Sequence, residues 1–482
     1  MKDLLVRYKN GTGFRSDVLK MVTGSSLARI ITILITPLIT RIYSPAAYGL
    51  FGIFSSIITI LSVLACLRYD ITIVLPETDR EAKNLFGVSV SFSFLIALLS
   101  FPILMINREW ISTFLNTPEI GQYIWVIPIV ILLNGFFSSF NYWNTRKKKF
   151  GVISITVFVR SLITSLAQLT AGYIGYMMAG SLIYASVFGL SVGVLTYFVM
   201  FGLEDILSLL RSLDFQEMIM GIQRYKRFPQ FDLWARLLNS ISWQLPSLLL
   251  SSYFSTDIVG YYTLGMNLIR VPMSMIGTSI GQVFLQRAAS AKNEGNLKVL
   301  VERIFRKLVR YSLIPALILT FIGKDLFIIV FGIEWSEAGV FVQLLSVWTF
   351  FWFISSPLSS LFRVLEKQRM SLLINIGILL TRILSIIAGG VFRNARLSLL
   401  LFSITGIVLY GYLSISTLQI SEVIIKRFFE VLGSYFIRFI PIGIVLALFV
   451  VFQVSPIVNI FFGGGATMVY YLFVMREDSL LF

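Results

Sequence analysis

Four arginines stand near the middle of long apolar stretches: Arg29, Arg160, Arg270 and Arg382. At roughly 2.5 to 3.5 kcal/mol for each guanidinium at the centre of a bilayer, four facing lipid would cost about 10 to 14 kcal/mol, so they are expected to face protein or water. The same stretches contain one acid, Asp325, beside Lys324 near an end. Arginines without carboxylates make a region of positive potential whose natural occupant is an anion. The guanidinium fork also suits phosphate oxygens in a bidentate contact.

The neighbours of two of these arginines recur at helical spacing. Ser25, Arg29, Thr32, Thr36 and Thr40 trace one stripe, and Thr263, Asn267, Arg270, Ser274, Gly277 and Gly281 trace another. Arg236, Asn239, Ser240 and Gln244 form a third polar set. The candidate binding residues for an anion are therefore Arg29, Arg270, Arg236, Ser25, Thr32, Asn239 and Asn267. Arg160 and Arg382 stand behind them, because their matching positions in the two halves of the chain also suit a scaffold role, each arginine binding carbonyls inside its own half. Lys20, Arg236 and Arg438 lie close enough to a span end to snorkel. Pro37 and Pro272 are expected to kink their helices, and the pairs Gly277/Gly281 and Gly189/Gly193 to allow close helix packing.

Other chemistry is excluded by composition. The 482 residues include no histidine and one cysteine, Cys66, which removes imidazole relays, His- or Cys-based nucleophile systems, Cys-based metal sites and intramolecular disulfides. No phosphate-cradling G-x-x-x-x-G-K-[ST] occurs; the Gly463–Gly465 run sits inside the last apolar stretch and reads as packing or a kink. No cofactor or metal is expected. The chain is 57% hydrophobic and 13% charged, with mean hydropathy +0.85. Soluble chains carry about 25% charged residues, so this composition places the protein in a membrane. The net charge of +16 then reads as a topology signal rather than a nucleic-acid surface.

These residues must be positioned by membrane-spanning helices. Apolar stretches of about 20 residues occur at 18–40, 46–66, 86–106, 120–141, 151–172, 177–201, 233–254, 258–284, 311–331, 338–362, 370–389, 397–418, 433–451 and 456–475. The fold class is all-α and polytopic, with about fourteen transmembrane helices; the two-residue alternation of a β-barrel is absent. The polar, basic residues 1–17 precede an uncleaved first helix rather than forming a signal peptide. One alternate set of connections holds 28 lysines and arginines and the other holds 4, which places both termini in the cytoplasm. Arg146, Lys147, Lys148 and Lys149 read as a topology and lipid-headgroup anchor. The long inner connections 202–232 and 285–310 read as amphipathic helices at the cytoplasmic interface.

The chain also compares with itself. Residues 43–49 match 254–260, residues 106–110 match 322–326, and Arg160 matches Arg382; the shift grows from 211 to 222 along the chain. A duplicated six-helix unit would give this pattern. The domain reading is a first lobe at 1–201, a linker at 202–232, a second lobe at 233–418, and two extra helices with a cytoplasmic tail at 419–482. Two copies of an even number of spans share one orientation, so two such lobes could rock about a central site.

The segment LARIITILITPLITRIYSPAAYGLFGIF (27–54), with LRYDITIVLPETDREAKNLFGVSV (67–90), resembles the opening of the polysaccharide transporter branch of the multidrug/oligosaccharidyl-lipid/polysaccharide exporter superfamily. Its best-known members are O-antigen flippases of the Wzx type. The resemblance implies a carrier of undecaprenyl-pyrophosphate-linked oligosaccharide across the bacterial inner membrane, with V-shaped lobes around a cationic cavity. It also implies membrane lipids, a polymerase and a chain-length regulator of the same pathway as partners, and no nucleic acid. A drug or cation antiporter of the superfamily would need a membrane-embedded carboxylate. The alternative is a membrane-embedded glycosyltransferase or polysaccharide polymerase, which would use acids in sizeable outward loops; the longest outward connection is 107–119. A membrane scaffold is the third reading.

Overall fold

The computed structural model describes residues 14–202, 207–209, 211–272 and 278–479, and gives no side-chain placement for 14–26, 272–280, 282, 283 and 473–479. Lys20, Ser25, Pro272, Ser274 and Gly277, singled out above, therefore lie outside the described side chains.

The described residues are overwhelmingly helical. The first part of the chain forms α1 (Phe14–Ile42), α2 (Pro45–Leu61), the short α3 (Tyr69–Thr72), α4 (Asp79–Ile106), α5 (Arg108–Phe114), α6 (Val126–Arg146), α7 (Phe150–Tyr173), α8 (Ala179–Phe201), α9 (Phe215–Arg224) and α10 (Leu233–Tyr253). The second part forms α11 (Thr256–Pro272), α12 (Thr278–Asn293), α13 (Leu297–Phe331), α14 (Ser336–Leu358), α15 (Leu361–Val364), α16 (Gln368–Val391), α17 (Ala395–Gln419), α18 (Ile425–Val451) and α19 (Pro456–Ser479). Among the described residues, nine helices are both long and apolar enough to cross a membrane. Local chemistry sets the helix starts. Ser44 Oγ accepts from the Ala47 N–H ahead of Pro45, and Thr78 Oγ1 accepts from the Glu81 N–H, each satisfying a donor that the first turn leaves open.

The chain divides into two compact units at Val259/Gly260. In the first, α1 packs along α7, α7 along α8, α4 along α6, and α10 along α2. In the second, α13 packs along α14, α14 and α16 along α17, and α18 and α19 along α13. Read from the sequence, α10 opens the second copy of the repeat, yet it groups in space with the first unit. The repeat expected from the sequence and the spatial grouping thus divide the chain at different points.

Lipid offers helices no hydrophobic reason to associate, so close backbone approach and hydrogen bonds must hold each unit. A Cβ on Gly189 would sit 1.8 Å from Thr164 Oγ1, and one on Gly193 would sit 3.2 Å from Arg160 Cβ. These two positions bring α8 onto α7, as their spacing suggests. In the second unit, a Cβ on Gly463 would meet Ile322 at 3.1 Å, so the first glycine of that run packs α19 on α13.

Three expectations are corrected. Arg146 is not a lipid anchor: its guanidinium is largely buried, donates to the carbonyls of Pro76 (2.6 Å) and Glu77 (3.3 Å), and pairs with Asp79 at 3.2 Å. Lys147 also pairs with Asp79. Together they fix the turn before α4. Nor does 202–232 simply lie on lipid. Asn84 donates to Glu217 at 2.6 Å and accepts from the Asp214 N–H at 2.8 Å, docking α9 on the N-terminal part of α4. Residues 297–310 are the first turns of the 35-residue α13 rather than a separate surface helix. There Phe305 stacks on Phe428 and Glu302 pairs with Arg427 at 2.7 Å, tying α13 to α18.

The Asp79 pair gives a pH test. Lys147 first, then Arg146, holds the Asp79 carboxyl below its usual range. A depressed carboxylate stabilises the fold above the unfolded value near pH 4 and loses that contribution as pH falls through the folded value. The Asp79 side chain is half exposed, so the effect is small. Asp79→Asn is expected to lower the thermal midpoint slightly at pH 7, with the difference from wild type shrinking as the pH falls below the ordinary carboxylate range, as read by melting of the purified protein.

Candidate functional site

A cavity of about 510 Å³ lies within the first unit, bounded by α2, the connector to α3, α3 itself, α6, α7 and α10. Three arginines reach it: Arg68 from the connector, Arg160 from α7 and Arg236 from the first turn of α10. The connector bends sharply, because Leu67 (φ 46°) and Arg68 (φ 69°) both take the left-handed conformation. Each such non-glycine residue costs about 1 to 3 kcal/mol. The bend lets α3 start at Tyr69, whose buried ring stacks on Phe92 at 5.3 Å. It thereby turns Arg68 and Asp70 toward the cavity.

The arginines are held differently. Arg68 Nε donates to Asp232 Oδ2 at 2.6 Å, so its charge is largely answered. Arg160 lies over the Phe137 ring at 4.9 Å, within electrostatic reach of Tyr197. Arg236 is exposed. Among the described residues neither Arg160 nor Arg236 makes an ion pair. An exposed cation beside a half-buried one can close on an oxyanion from two sides, the arrangement that a phosphate group needs.

The wall of this cavity also carries a carboxylate. Asp70 is 6% exposed and borders this cavity. Its Oδ2 accepts from Ser138 Oγ at 2.5 Å, while Oδ1 is buried without a hydrogen-bond partner among the described residues. Asn134, Ser138, Asn141 and Tyr142 of α6 complete the polar wall.

Other candidates fall elsewhere. Arg29 is exposed on α1 and is not part of the cavity wall. Thr32 lies 2.8 Å from Ser161 of α7, which also donates to the Ala28 carbonyl, so this stripe bonds α1 to α7. Ser240 donates to the Thr59 carbonyl at 3.1 Å and Gln244 accepts from Ser56 at 3.3 Å, so these members of the α10 set face α2. Asn239 and Asn267 are exposed.

In the second unit, Arg270 lies within electrostatic reach of Tyr262, Arg382 and Tyr410. Arg382 is 5% exposed, donates to the Tyr410 hydroxyl at 3.0 Å and lies over Phe402 at 5.7 Å. Arg160 with Phe137 and Tyr197 repeats this arginine–aromatic arrangement between α7 and its neighbours.

Residues 38–340 match the model of a family described as polysaccharide biosynthesis protein. The chain belongs to this family. The matched region contains every residue that lines the cavity. Comparison with characterised proteins by sequence finds no match. Among solved structures, the lipid II flippase MurJ in an inward closed conformation superposes with a TM-score of 0.71 at 12% identity, covering 94% of this chain and 99% of that one. A multidrug resistance MATE family transporter of the MOP superfamily, inward-facing, gives 0.64 at 14% identity, covering 84% and 96%. The Vibrio cholerae MATE transporter VcmN gives 0.54 at 15% identity, covering 84% and 95%. At these identities the likeness establishes the fold, which this chain shares with these transporters. The protein is a polytopic membrane protein of polysaccharide biosynthesis, and these neighbours are transporters rather than enzymes.

Proposed function

We propose that the protein is a flippase that moves an undecaprenyl-pyrophosphate-linked oligosaccharide from the cytoplasmic to the outer leaflet of the bacterial cytoplasmic membrane. The observation that carries this reading is the pair Arg160 and Arg236 on one cavity, neither engaged by a carboxylate among the described residues. Placed in low dielectric, such a pair attracts a pyrophosphate strongly. Arg29 on the exposed face of α1, and Arg270 near Arg382 in the second unit, are further candidate contacts for the headgroup. Export of an anion from a negative-inside cell is favoured by about 2.3 kcal/mol per charge per 100 mV, so membrane potential supplies part of the drive. The 28 to 4 asymmetry of basic residues supports cytoplasmic termini.

The test is reconstitution in liposomes containing radiolabelled undecaprenyl-pyrophosphate oligosaccharide. The labelled sugar should become accessible to an impermeant oxidant at a rate that depends on the protein, and chromatography should recover the same lipid unchanged. A lengthened or transferred glycan with no gain in accessibility would instead support the glycosyltransferase or polymerase reading.

A further inference from the structure

We propose that the groove between α13, α18 and α19 holds one anionic phospholipid of the inner leaflet, its phosphate on Arg438 and one acyl chain along the apolar walls. The groove lies wholly in the second unit and has a volume of about 540 Å³. Ile314 of α13, Ile442 of α18 and Phe461, Phe462, Ala466 and Val469 of α19 line it, and Arg438 is the one charged residue among the lining set. Arg438 stands at one end, within electrostatic reach of Tyr470. From Tyr470 back to Phe461 the helix rises about 13 Å at roughly 1.5 Å per residue, so the groove is a slot for a chain with a cation at its mouth. On the orientation read from the basic residues that end is the cytoplasmic one, where anionic lipids meet basic side chains.

Arg438 needs such a partner. Its guanidinium is exposed, lies over the Tyr435 ring at 5.1 Å and makes no ion pair among the described residues. A ring face attracts the charge without neutralising it, and an arginine turned to lipid with no anion is costly. One guanidinium fork matches one phosphodiester, whereas a zwitterionic headgroup brings a cation of its own to the same place. The slot is also formed in advance. Tyr470 donates to the Arg310 carbonyl at 2.6 Å and Tyr471 to the Tyr311 carbonyl at 2.8 Å, which fixes α19 on α13. Ile314, Ile318 and Phe439 pack behind it as a buried core. Gly465 opens into the slot: it lines the groove, and a Cβ there would meet nothing within 4 Å. A side chain at this position therefore fills the slot rather than striking protein.

Native mass spectrometry of the full-length protein released from lipid-doped detergent tests this with three lipids: phosphatidylglycerol, phosphatidylcholine of the same chains, and undecaprenyl phosphate. Wild type should retain one phosphatidylglycerol, about tenfold more tightly than phosphatidylcholine, the size of one hydrogen-bonded charge pair. Arg438→Gln should bring that ratio to about twofold or less. Gly465→Phe should weaken both phospholipids by about tenfold or more. Gly464→Phe, whose Cβ also meets nothing within 4 Å but which lies off the groove, should bind as wild type does. Arg438 is exposed, so Arg438→Gln reads the headgroup even where a phenylalanine at 465 disturbs the helices. Equal retention of the two phospholipids by wild type, a ratio unchanged in Arg438→Gln, or equal binding by the 464 and 465 variants overturns the assignment. Undecaprenyl phosphate that displaces phosphatidylglycerol from wild type at equal concentration gives the groove to the transported lipid and overturns it as well.

Discussion

Arg160→Ala and Arg236→Ala are each expected to slow flipping of the lipid-linked oligosaccharide by roughly ten- to a hundredfold, and the double variant to bring it to the protein-free background. A hydrogen bond to a charged group is worth about 1.5 to 3 kcal/mol, and every 1.4 kcal/mol is tenfold. The two arginines bound one cavity, so their losses fall on one ligand and need not add. Arg236 is exposed and makes no ion pair among the described residues, so Arg236→Ala should leave expression and melting unchanged. Arg160 is half-buried against Phe137, and Arg160→Lys separates charge from packing: a point charge stays while the fork is lost, so partial activity should return. Arg382→Ala should behave differently. Its guanidinium is buried and bonded to Tyr410, so the loss there should appear first in stability. Full flipping by Arg236→Glu at normal protein levels would show that this cavity does not hold the pyrophosphate.

The helices were legible because a span of about 20 apolar residues has few readings in water or lipid. The site was less so, and Asp70 shows why. It sits in 67–85, polar enough to read as a loop, and only the left-handed bend at Leu67 and Arg68 brings it inside. The α6 wall did carry a signal, since Asn134, Ser138, Asn141 and Thr145 repeat at spacings of 4, 3 and 4; uncharged residues at such spacing are easily taken for ordinary helix contacts. The α13 extension misleads for a related reason. A stripe of Val301, Ile304, Phe305 and Leu308 is needed equally for lipid and for a neighbouring helix, and periodicity does not distinguish the two. Basic residues pose the same ambiguity: the count that orients the protein includes Arg146, which spends its charge on carbonyls and Asp79. Arg160 and Arg382, placed behind the other candidates for a scaffold role, separate in the structure. Arg382 is buried by Tyr410 and Phe402, whereas Arg160 borders the cavity.

Gly389→Ala is expected to be the most damaging small substitution in the second unit. A Cβ at this position would lie 2.0 Å from Ser398 Oγ, 2.4 Å from the Ser398 backbone nitrogen and 2.6 Å from its Cα. A side-chain oxygen can rotate away; backbone atoms cannot. The approach is also fixed locally, because the Asn394 N–H donates to the Gly389 carbonyl at 2.9 Å and the Asn394 side chain caps α17 by accepting from the Leu397 N–H at 3.0 Å. Arg393, at φ 51°, completes this tight turn between α16 and α17. Relief requires the two helices to separate at the ends this turn joins, and that movement would propagate to Arg382 and Tyr410 farther along the same pair. Overpacking costs typically 1 to 3 kcal/mol and occasionally more, and contact with backbone puts this case at about 3 or above. Gly464→Ala is the matched control, since nothing lies within 4 Å of its Cβ position. Melting of the two variants in the same detergent should show a large fall for Gly389→Ala and none for Gly464→Ala. Equal midpoints would mean that α16 and α17 are not packed as closely as this turn requires, and the buried Arg382–Tyr410 bond would lose its support.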